Sequence, residues 1–143
     1  MKVESVTAPL RVLVVKLSSL GDVVHTLPAA MDIQAHFPNA QIDWVVEEAY
    51  VHLLEPLLSK DGFKGIDRII PFGLRRWKKN LLKLSTWKEF FTFKKTLQET
   101  SYDVIIETQG LLKSAIVCSL AKKTPNAVIA GLANATEFSG YEP

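Results

Sequence analysis

The stretch RVLVVKLSSLGDVVHTLPAA, residues 11–30, decides the fold of this chain. It begins with a nearly continuous apolar run at 11–16, which is typical of a strand buried on both faces of a parallel sheet. A loop of small residues follows, and then Val24 and Leu27 open a series of apolar residues at helical spacing. A buried strand, a short loop and a helix with one apolar side form the first part of a βαβ unit.

The rest of the chain repeats this alternation. Further strands are predicted at 41–47, 66–71, 102–108 and 127–131, and further helices at 48–59, 86–100 and 111–122. Pro28 must kink the first helix or start a new one, while Pro38-Asn39 and Pro125-Asn126 supply breaks that follow helices. The alternation predicts an α/β protein with a Rossmann-like, doubly wound and mostly parallel sheet.

The composition is that of a soluble globular domain. Hydrophobic residues make up 48% of the 143 and charged residues 22%, which excludes a disordered tail. No apolar run reaches the ~20 residues that a membrane span needs, and residues 1–10 lack the apolar core of a signal peptide. Cys118 is the only cysteine, so the chain can form no intrachain disulfide and no cysteine metal cluster. We predict that Cys118 is a thiol buried in the core. These features predict a cytoplasmic protein.

The net charge of +2 hides a marked asymmetry along the chain. Residues 72–95, here called the basic segment, hold eight lysines and arginines against the single acid Glu89, so the segment carries +7 and the remainder −5. A basic region on a mildly acidic body indicates an anionic partner: phosphate, carboxylate, nucleic acid or a membrane surface. Lysines on a solvated helix face explain the same pattern without any partner.

The loop after the first strand, residues 16–22, is the clearest candidate for a ligand site. Ligands of open α/β sheets bind at the carboxyl ends of the strands, where this loop is expected. Ser18, Ser19 and Gly21 allow close backbone approach, and the following helix N-terminus favours an anion. With one glycine, the loop matches neither the dinucleotide fingerprint nor the P-loop. Asp22 is then either a carboxylate at the mouth of the crevice or the helix N-cap.

A second candidate is the basic cluster Arg75, Arg76, Lys78 and Lys79, which surrounds Trp77. Arginine forks bind phosphate or carboxylate with two hydrogen bonds, and lysines add point charges. The tryptophan can stack on a ring of the ligand or anchor the segment in the core. The alternative is a basic surface helix with one buried aromatic residue.

A third candidate follows the fourth strand at residues 107–114. Gly110 permits a tight turn from strand to helix, and the side chains of Gln109 and Lys113 can face the crevice. A structural turn and a functional loop explain this stretch equally well.

The histidines show no metal-ligand spacing. The three are His25, His36 and His52. We predict no metal site from them, although His25, three residues after Asp22, can line the crevice.

Four stretches of this sequence resemble the ADP-heptose:lipopolysaccharide heptosyltransferases. They are KLSSLGDVVHTLPA at 16–29, IDWVVEEAY at 42–50, IIPFGLRRWKK at 69–79 and YDVIIETQGLLKSA at 102–115. The resemblance runs from about Leu10 to the end of the chain. WVVEE together with RRWKK points to the branch of the family that adds the first heptose to the inner core.

The resemblance implies a glycosyltransferase with two Rossmann-like domains in the GT-B arrangement. In that family the N-terminal domain receives a Kdo-lipid A acceptor, and the C-terminal domain binds most of the ADP-heptose donor. The transfer inverts the anomeric configuration and needs no metal or other cofactor. The family's catalytic aspartate matches Asp22, and its acceptor-binding residues match the basic cluster. The resemblance further implies contact with the cytoplasmic face of the inner membrane and no nucleic-acid partner.

On this interpretation residues 1–143 are the N-terminal, acceptor-binding domain alone, and we expect the isolated chain to be inactive. The sequence departs from the family at Tyr141, where an arginine often precedes Glu-Pro. Two alternative functions stand beside this one: a basic nucleic-acid-binding α/β module, and another glycosyltransferase of the same family.

Overall fold

The computed structural model describes residues 9–18, 20–108 and 112–131. Five strands are found in these ranges: β1 (Arg11–Val15), β2 (Gln41–Glu47), β3 (Arg68–Phe72), β4 (Ser101–Glu107) and β5 (Lys122–Ala130). The helices are α1 (Leu20–His36), α2 (Val51–Leu54), α3 (Leu74–Lys78), α4 (Leu84–Leu97) and α5 (Leu112–Leu120). Short 3₁₀ turns, Glu48–Tyr50 and Glu55–Leu57, flank α2.

The strands form one parallel sheet in the order β3-β2-β1-β4-β5. Chain order reverses at β1, which pairs with β2 on one side and with β4 on the other. Loops that leave β1 and β4 therefore diverge and open a crevice at the carboxyl ends of these strands. The predicted Rossmann-like, doubly wound α/β fold is confirmed.

Alternate residues of β1 enter two separate cores, as the period of a strand requires. Leu13 and Val15 face the core that α4 and α5 cover, while Val12 and Val14 face the core under α1 and α2. Both cores are fully buried at these positions. Each such side chain stabilises the fold by roughly 1.5–3 kcal/mol, and a sheet buried on both faces explains why the run at 11–16 is continuously apolar.

A polar network ties three strands together near their amino ends. The Tyr102 hydroxyl donates to Asp43 Oδ2 at 2.5 Å, and Arg68 Nη2 donates to the same carboxylate oxygen at 3.1 Å. Arg68 Nη1 also donates to Glu99 Oε1 at 2.8 Å. Burial, followed by the hydrogen bond to Asp43, raises the pKa of Tyr102. The network satisfies the buried Asp43 carboxylate inside the sheet.

Several predicted boundaries need correction. No new helix starts at Pro28, which lies inside α1 on its exposed side, where water can satisfy the carbonyl that the proline leaves free. The helix predicted at 48–59 is broken into α2 and two 3₁₀ turns, because Pro56 lacks the N–H that an α-helix needs.

The largest correction concerns β5. Its pairing with β4 jumps from Tyr102↔Lys123 to Val104↔Val128, so residues 124–127 bulge out of the ladder. Pro125-Asn126 therefore lies inside this strand and does not end α5, which stops at Leu120. Proline is tolerated here because β5 pairs with β4 alone among the described strands.

In the described ranges, none of the helices combines the length and apolar character needed to cross a bilayer.

Candidate functional site at the carboxyl edge of the sheet

Charged side chains collect at the carboxyl ends of β1, β2 and β4. Lys16, Glu47 and Glu107 are each buried there, although they follow or end strands of apolar residues. Lys16 Nζ donates to the carbonyl oxygen of Thr108 at 3.3 Å. Buried charges are costly unless they are paired or hydrogen-bonded, so an edge that carries three of them is a candidate for function.

Glu47 is the centre of this group. Its carboxylate accepts from Lys113 Nζ at 2.7 Å, and Lys113 Nζ also donates to Ser18 Oγ at 3.2 Å. Arg75 Nε lies 3.6 Å from the other oxygen of Glu47. The side chain of Glu47 is 6% exposed, that of Lys113 24% and that of Arg75 74%. One buried carboxylate thus holds two cations from different helices, α3 and α5, at the rim of the crevice.

The structure brings together two of the predicted crevice residues, Ser18 and Lys113. The predicted residues Ser19 and Gln109 lie outside the described part of the chain. Sequence reasoning gave Glu47 no role. Its signal was present, because a carboxylate that ends a buried strand lies at the edge where ligands bind.

Asp22 and His25 lie on the exposed side of α1, one turn apart. Asp22 is in the first turn, two residues after the start of the helix at Leu20, so it is not the N-cap. Its backbone carbonyl accepts from the hydroxyl of Thr26 at 2.8 Å. The helix dipole favours a carboxylate at this position.

Gly21 faces open space. A Cβ atom built on it would meet no described atom within 4 Å. Packing of the described residues therefore does not require glycine here.

All four residues of the basic cluster are exposed, but they differ in their ion pairs. Arg76 Nη2 lies 2.7 Å from Glu48 Oε2 and 2.6 Å from Glu89 Oε1. Hydrogen bonds to Glu48 and then Glu89 raise the pKa of Arg76, and those from Arg76 and then Trp77 lower the pKa of Glu89. Arg75 Nε contacts Glu47 at the longer distance of 3.6 Å, and Lys78 and Lys79 extend from the same surface. Arg76 is therefore held by the protein's own carboxylates.

Trp77 anchors the cluster in the core. It is buried and packs edge-to-face on Phe72, with ring centroids 5.6 Å apart. Its indole N–H donates to Glu89 Oε1 at 3.0 Å. Of the two functions considered for this tryptophan, the structure supports the anchor.

A small pocket of about 110 Å³ lies between the ends of β2 and β3 and the start of α3. Glu47, Glu48, Gly73, Arg75 and Arg76 contribute to its walls. A Cβ atom at Gly73 would lie 2.9 Å from Glu48 Oε2, so glycine leaves the room that Glu48 needs. The pocket connects the exposed Arg75 with the buried carboxylate of Glu47.

The described residues contain neither a group of metal ligands nor a reactive thiol. No group of three or more histidine, cysteine, aspartate or glutamate side chains in these ranges is placed to hold a metal ion. Cys118 is half-buried against the core under α4 and α5, and burial raises its pKa to about 11. It is therefore protonated at neutral pH and a poor nucleophile.

Known proteins match both the sequence and the fold. Residues 90–137 match the model of glycosyltransferase family 9 (heptosyltransferase). Lipopolysaccharide heptosyltransferase 1 of Pseudomonas aeruginosa is 45% identical over 123 residues, which are 86% of this chain and 32% of that protein. The protein of the same name from Escherichia coli K12 is 42% identical over 106 residues, 74% of this chain and 31% of its own length.

A solved structure agrees with these relatives. The E. coli heptosyltransferase WaaC with ADP-2-deoxy-2-fluoro heptose matches with a TM-score of 0.72 and 39% identity over 85% of this chain and 36% of that chain. The chain thus spans about a third of the length of the curated relatives it matches. These matches confirm the resemblance to glycosyltransferase family 9, the heptosyltransferases, that the motifs of the chain predicted.

Proposed function

We propose that this chain is the acceptor-side part of an enzyme that transfers heptose from ADP-heptose to a Kdo residue of Kdo-lipid A in lipopolysaccharide core synthesis. The observation that carries the proposal is the match to heptosyltransferase 1 proteins over a chain in which the exposed Asp22 lies in the first turn of α1, after β1, and the exposed Arg75 contacts Glu47 at the end of β2. The fold supports it, since ligands of such sheets bind at this edge.

Asp22 is the proposed base. An inverting transfer needs a group that takes the proton from the attacking Kdo hydroxyl as the bond from the sugar to ADP breaks. An exposed carboxylate in the first turn of α1 can approach that hydroxyl. A carboxylate is a weak base, and it suffices where proton transfer lags behind bond breaking at an oxocarbenium-like centre. No metal takes part in the proposed transfer, and no other cofactor is needed.

The acceptor carries carboxylates on Kdo and phosphates on lipid A. Arg75, Lys78 and Lys79, which take no part in the ion pairs with Glu48 and Glu89, would bind them, because charge-assisted contacts to such groups are strong. Arg76, which the sequence analysis grouped with them, would act mainly by holding α3 against Glu48 and Glu89. Lys113 and Ser18 would form the floor of the site together with Glu47.

The donor belongs mainly to a second domain in this proposal. The chain would be the N-terminal acceptor domain of a GT-B enzyme that works at the cytoplasmic face of the inner membrane, where a lipid-linked acceptor lies. Nucleic acid has no part in this function.

The test is a transfer assay with the complete gene product. We expect heptose to pass from ADP-heptose to Kdo-lipid A, detected by mass spectrometry of the lipid, and little transfer to an acceptor that already carries heptose. Preference for the heptosylated acceptor would instead assign the protein to another step of core synthesis. Salt-sensitive binding of generic oligonucleotides with no transfer would favour the nucleic-acid-binding alternative.

A further inference from the structure

The loop before α4 and the first half of α4 expose an unusual number of large apolar side chains. Leu82 is fully exposed, and Leu84 is 73% exposed. The surface, here called the apolar stripe, consists of Leu81, Leu82, Leu84, Trp87 and Phe91. Contiguous exposed apolar residues within a polar surrounding mark an interaction site.

The stripe is distinct from the side of α4 that packs on the sheet. Thr86, Phe93 and Leu97 are the buried positions of this helix. Leu84, Trp87 and Phe91 follow the same three- and four-residue spacing on a different side. The helix therefore carries two apolar sides, of which the sheet covers one.

Contacts within the surface hold it in shape. The indole N–H of Trp87 donates to the carbonyl oxygen of Leu81 at 2.8 Å, which fastens the loop to the helix. The ring of Phe90 packs edge-to-face on Trp87 on one side and on Phe91 on the other, with centroids 6.3 and 5.7 Å apart. An indole whose polar group is already satisfied leaves mainly apolar atoms to a partner.

Lysines border the stripe on both sides. On α4, Lys94 lies next to one flank, while Lys88 and Lys95 lie next to the other. Lys83 separates Leu82 from Leu84. The basic segment that contains the stripe carries +7, so a partner must offer both an apolar interior and negative charge.

We propose that the apolar stripe inserts into the headgroup region of a bilayer that contains anionic phospholipids. The lysines would bind the phosphates while the leucine, tryptophan and phenylalanine side chains enter the acyl boundary, as in other interfacial helices. A second copy of the chain fits less well, because a symmetric contact would bring the two sets of lysines face to face.

The position of the stripe connects it to the candidate site. β3 ends at the carboxyl edge of the sheet and β4 begins at the opposite edge, so the first turns of α4 lie beside α3 and Arg75. This inference deepens the proposed function, on which its biological meaning rests. A chain seated on the bilayer by this surface would present its crevice to the headgroup of a lipid-linked acceptor.

Tryptophan fluorescence gives a direct test with the 143-residue chain. Trp44 and Trp77 are buried and Trp87 is 44% exposed, so a change on adding vesicles reports Trp87. We expect a blue shift and co-sedimentation with vesicles of phosphatidylcholine and phosphatidylglycerol. Both signals should be weaker with phosphatidylcholine alone and should decrease with added salt. Trp87→Phe should abolish the shift and leave most of the sedimentation.

Matched variants distinguish binding by this surface from nonspecific hydrophobic adsorption to vesicles. Replacing Leu82 and Leu84 with threonine should weaken vesicle binding roughly tenfold. Replacing Val128 and Ile129 with threonine, two aliphatic residues on β5 that are each 56% exposed, should change it little. Unchanged binding in the leucine variant, or no blue shift in the parent chain, would overturn the proposal.

Two further outcomes would also overturn it. Self-association in sedimentation velocity that the leucine variant abolishes, without vesicle binding, would show that the stripe joins two copies of the chain. Loss of binding in the control variant alone would place the contact on β5. The vesicle assay uses neither donor nor acceptor, so an inactive gene product that still binds vesicles would contradict the proposed function and leave this inference standing.

Discussion

Single residues decide whether the crevice is catalytic. Replacing Asp22 with asparagine in the complete gene product removes the base while preserving shape, and we expect kcat to fall by roughly 10²–10⁴. Asp32→Asn is the control, because Asp32 is an exposed aspartate three turns further along the same helix. Steady-state kinetics and thermal melting check both variants. A near-normal kcat with a lower melting temperature in Asp22→Asn would show that Asp22 only stabilises the start of α1.

The two arginines of the basic cluster should behave differently, although they are neighbours in the chain. Arg75→Ala should raise the acceptor KM roughly tenfold, since an exposed charge-assisted contact is worth about 1.5 kcal/mol. The donor KM should remain nearly constant. Arg75→Lys should recover little, because a point charge does not replace a bidentate fork. Kinetics with acceptor varied at saturating donor would measure these changes.

Arg76→Ala serves as the comparison. Its guanidinium already holds Glu48 and Glu89. Its loss should therefore lower the melting temperature and leave the acceptor KM nearly unchanged. Equal changes in KM for the two variants would mean that the ion pairs of Arg76 open when the acceptor binds.

At the scale of elements, Glu47 links the end of β2 to α5 through Lys113. A double-mutant cycle with Glu47→Gln and Lys113→Met should give a coupling energy of about 1–3 kcal/mol, because the carboxylate is buried and the ammonium partly so. The exposed pair of Lys64 and Asp67 provides the control, with an expected coupling below about 1 kcal/mol. Urea unfolding measures both cycles. Equal coupling would show that burial does not strengthen the pair.

Tyr102 joins β4 to β2, and its loss should be visible in the pH dependence of stability. Tyr102→Phe should cost about 1–3 kcal/mol, since Asp43 loses a buried donor. The folded pKa of Tyr102 is raised, so its contribution is complete below the unfolded value of 10.0 and falls as pH rises above it. Unfolding in urea between pH 8 and pH 11 (roughly, around the tyrosine pKa) should show a steeper loss in the parent chain than in the variant. Parallel curves would contradict this assignment.

Periodicity predicted the type of most elements and few of their ends. The apolar run of β1 was unambiguous because the sheet buries both of its faces. The helix at 48–59 was wrong because apolar spacing took no account of Pro56. β5 was placed too late, since most of its residues are exposed and carry no strand pattern.

The sequence predicted residues of the candidate site only where their position after a strand decides which edge of the sheet they occupy. Ser18 and Lys113 follow strand ends, and strand ends of a parallel sheet share one edge. The contact of Lys113 with Glu47 depends on β2 and β4 flanking β1, a strand order that local sequence does not encode. The pairing of Arg76 with Glu89 likewise required knowing how α4 packs beside α3.

For the whole molecule, we expect the 143-residue chain alone to transfer no heptose. It spans about a third of the length of the heptosyltransferases that it matches, and the proposed donor site belongs to a second domain. Incubation with ADP-heptose and Kdo-lipid A, followed by mass spectrometry of the lipid, would check this. Turnover by this chain would mean that residues 1–143 hold a complete site, and the two-domain proposal would then be wrong.

The bulge in β5 has a consequence for how the protein behaves at high concentration. A regular outer strand offers a continuous row of N–H and C=O groups on which another chain can add its own strand, which is a common route to aggregation. Residues 124–127 interrupt that row, and Pro125 removes one donor from it altogether. The proline that misled the assignment of α5 therefore protects the one flank of the sheet where Val128 and Ile129 are open to solvent. Among the described strands, β5 thus offers crowded copies of the chain an interrupted template.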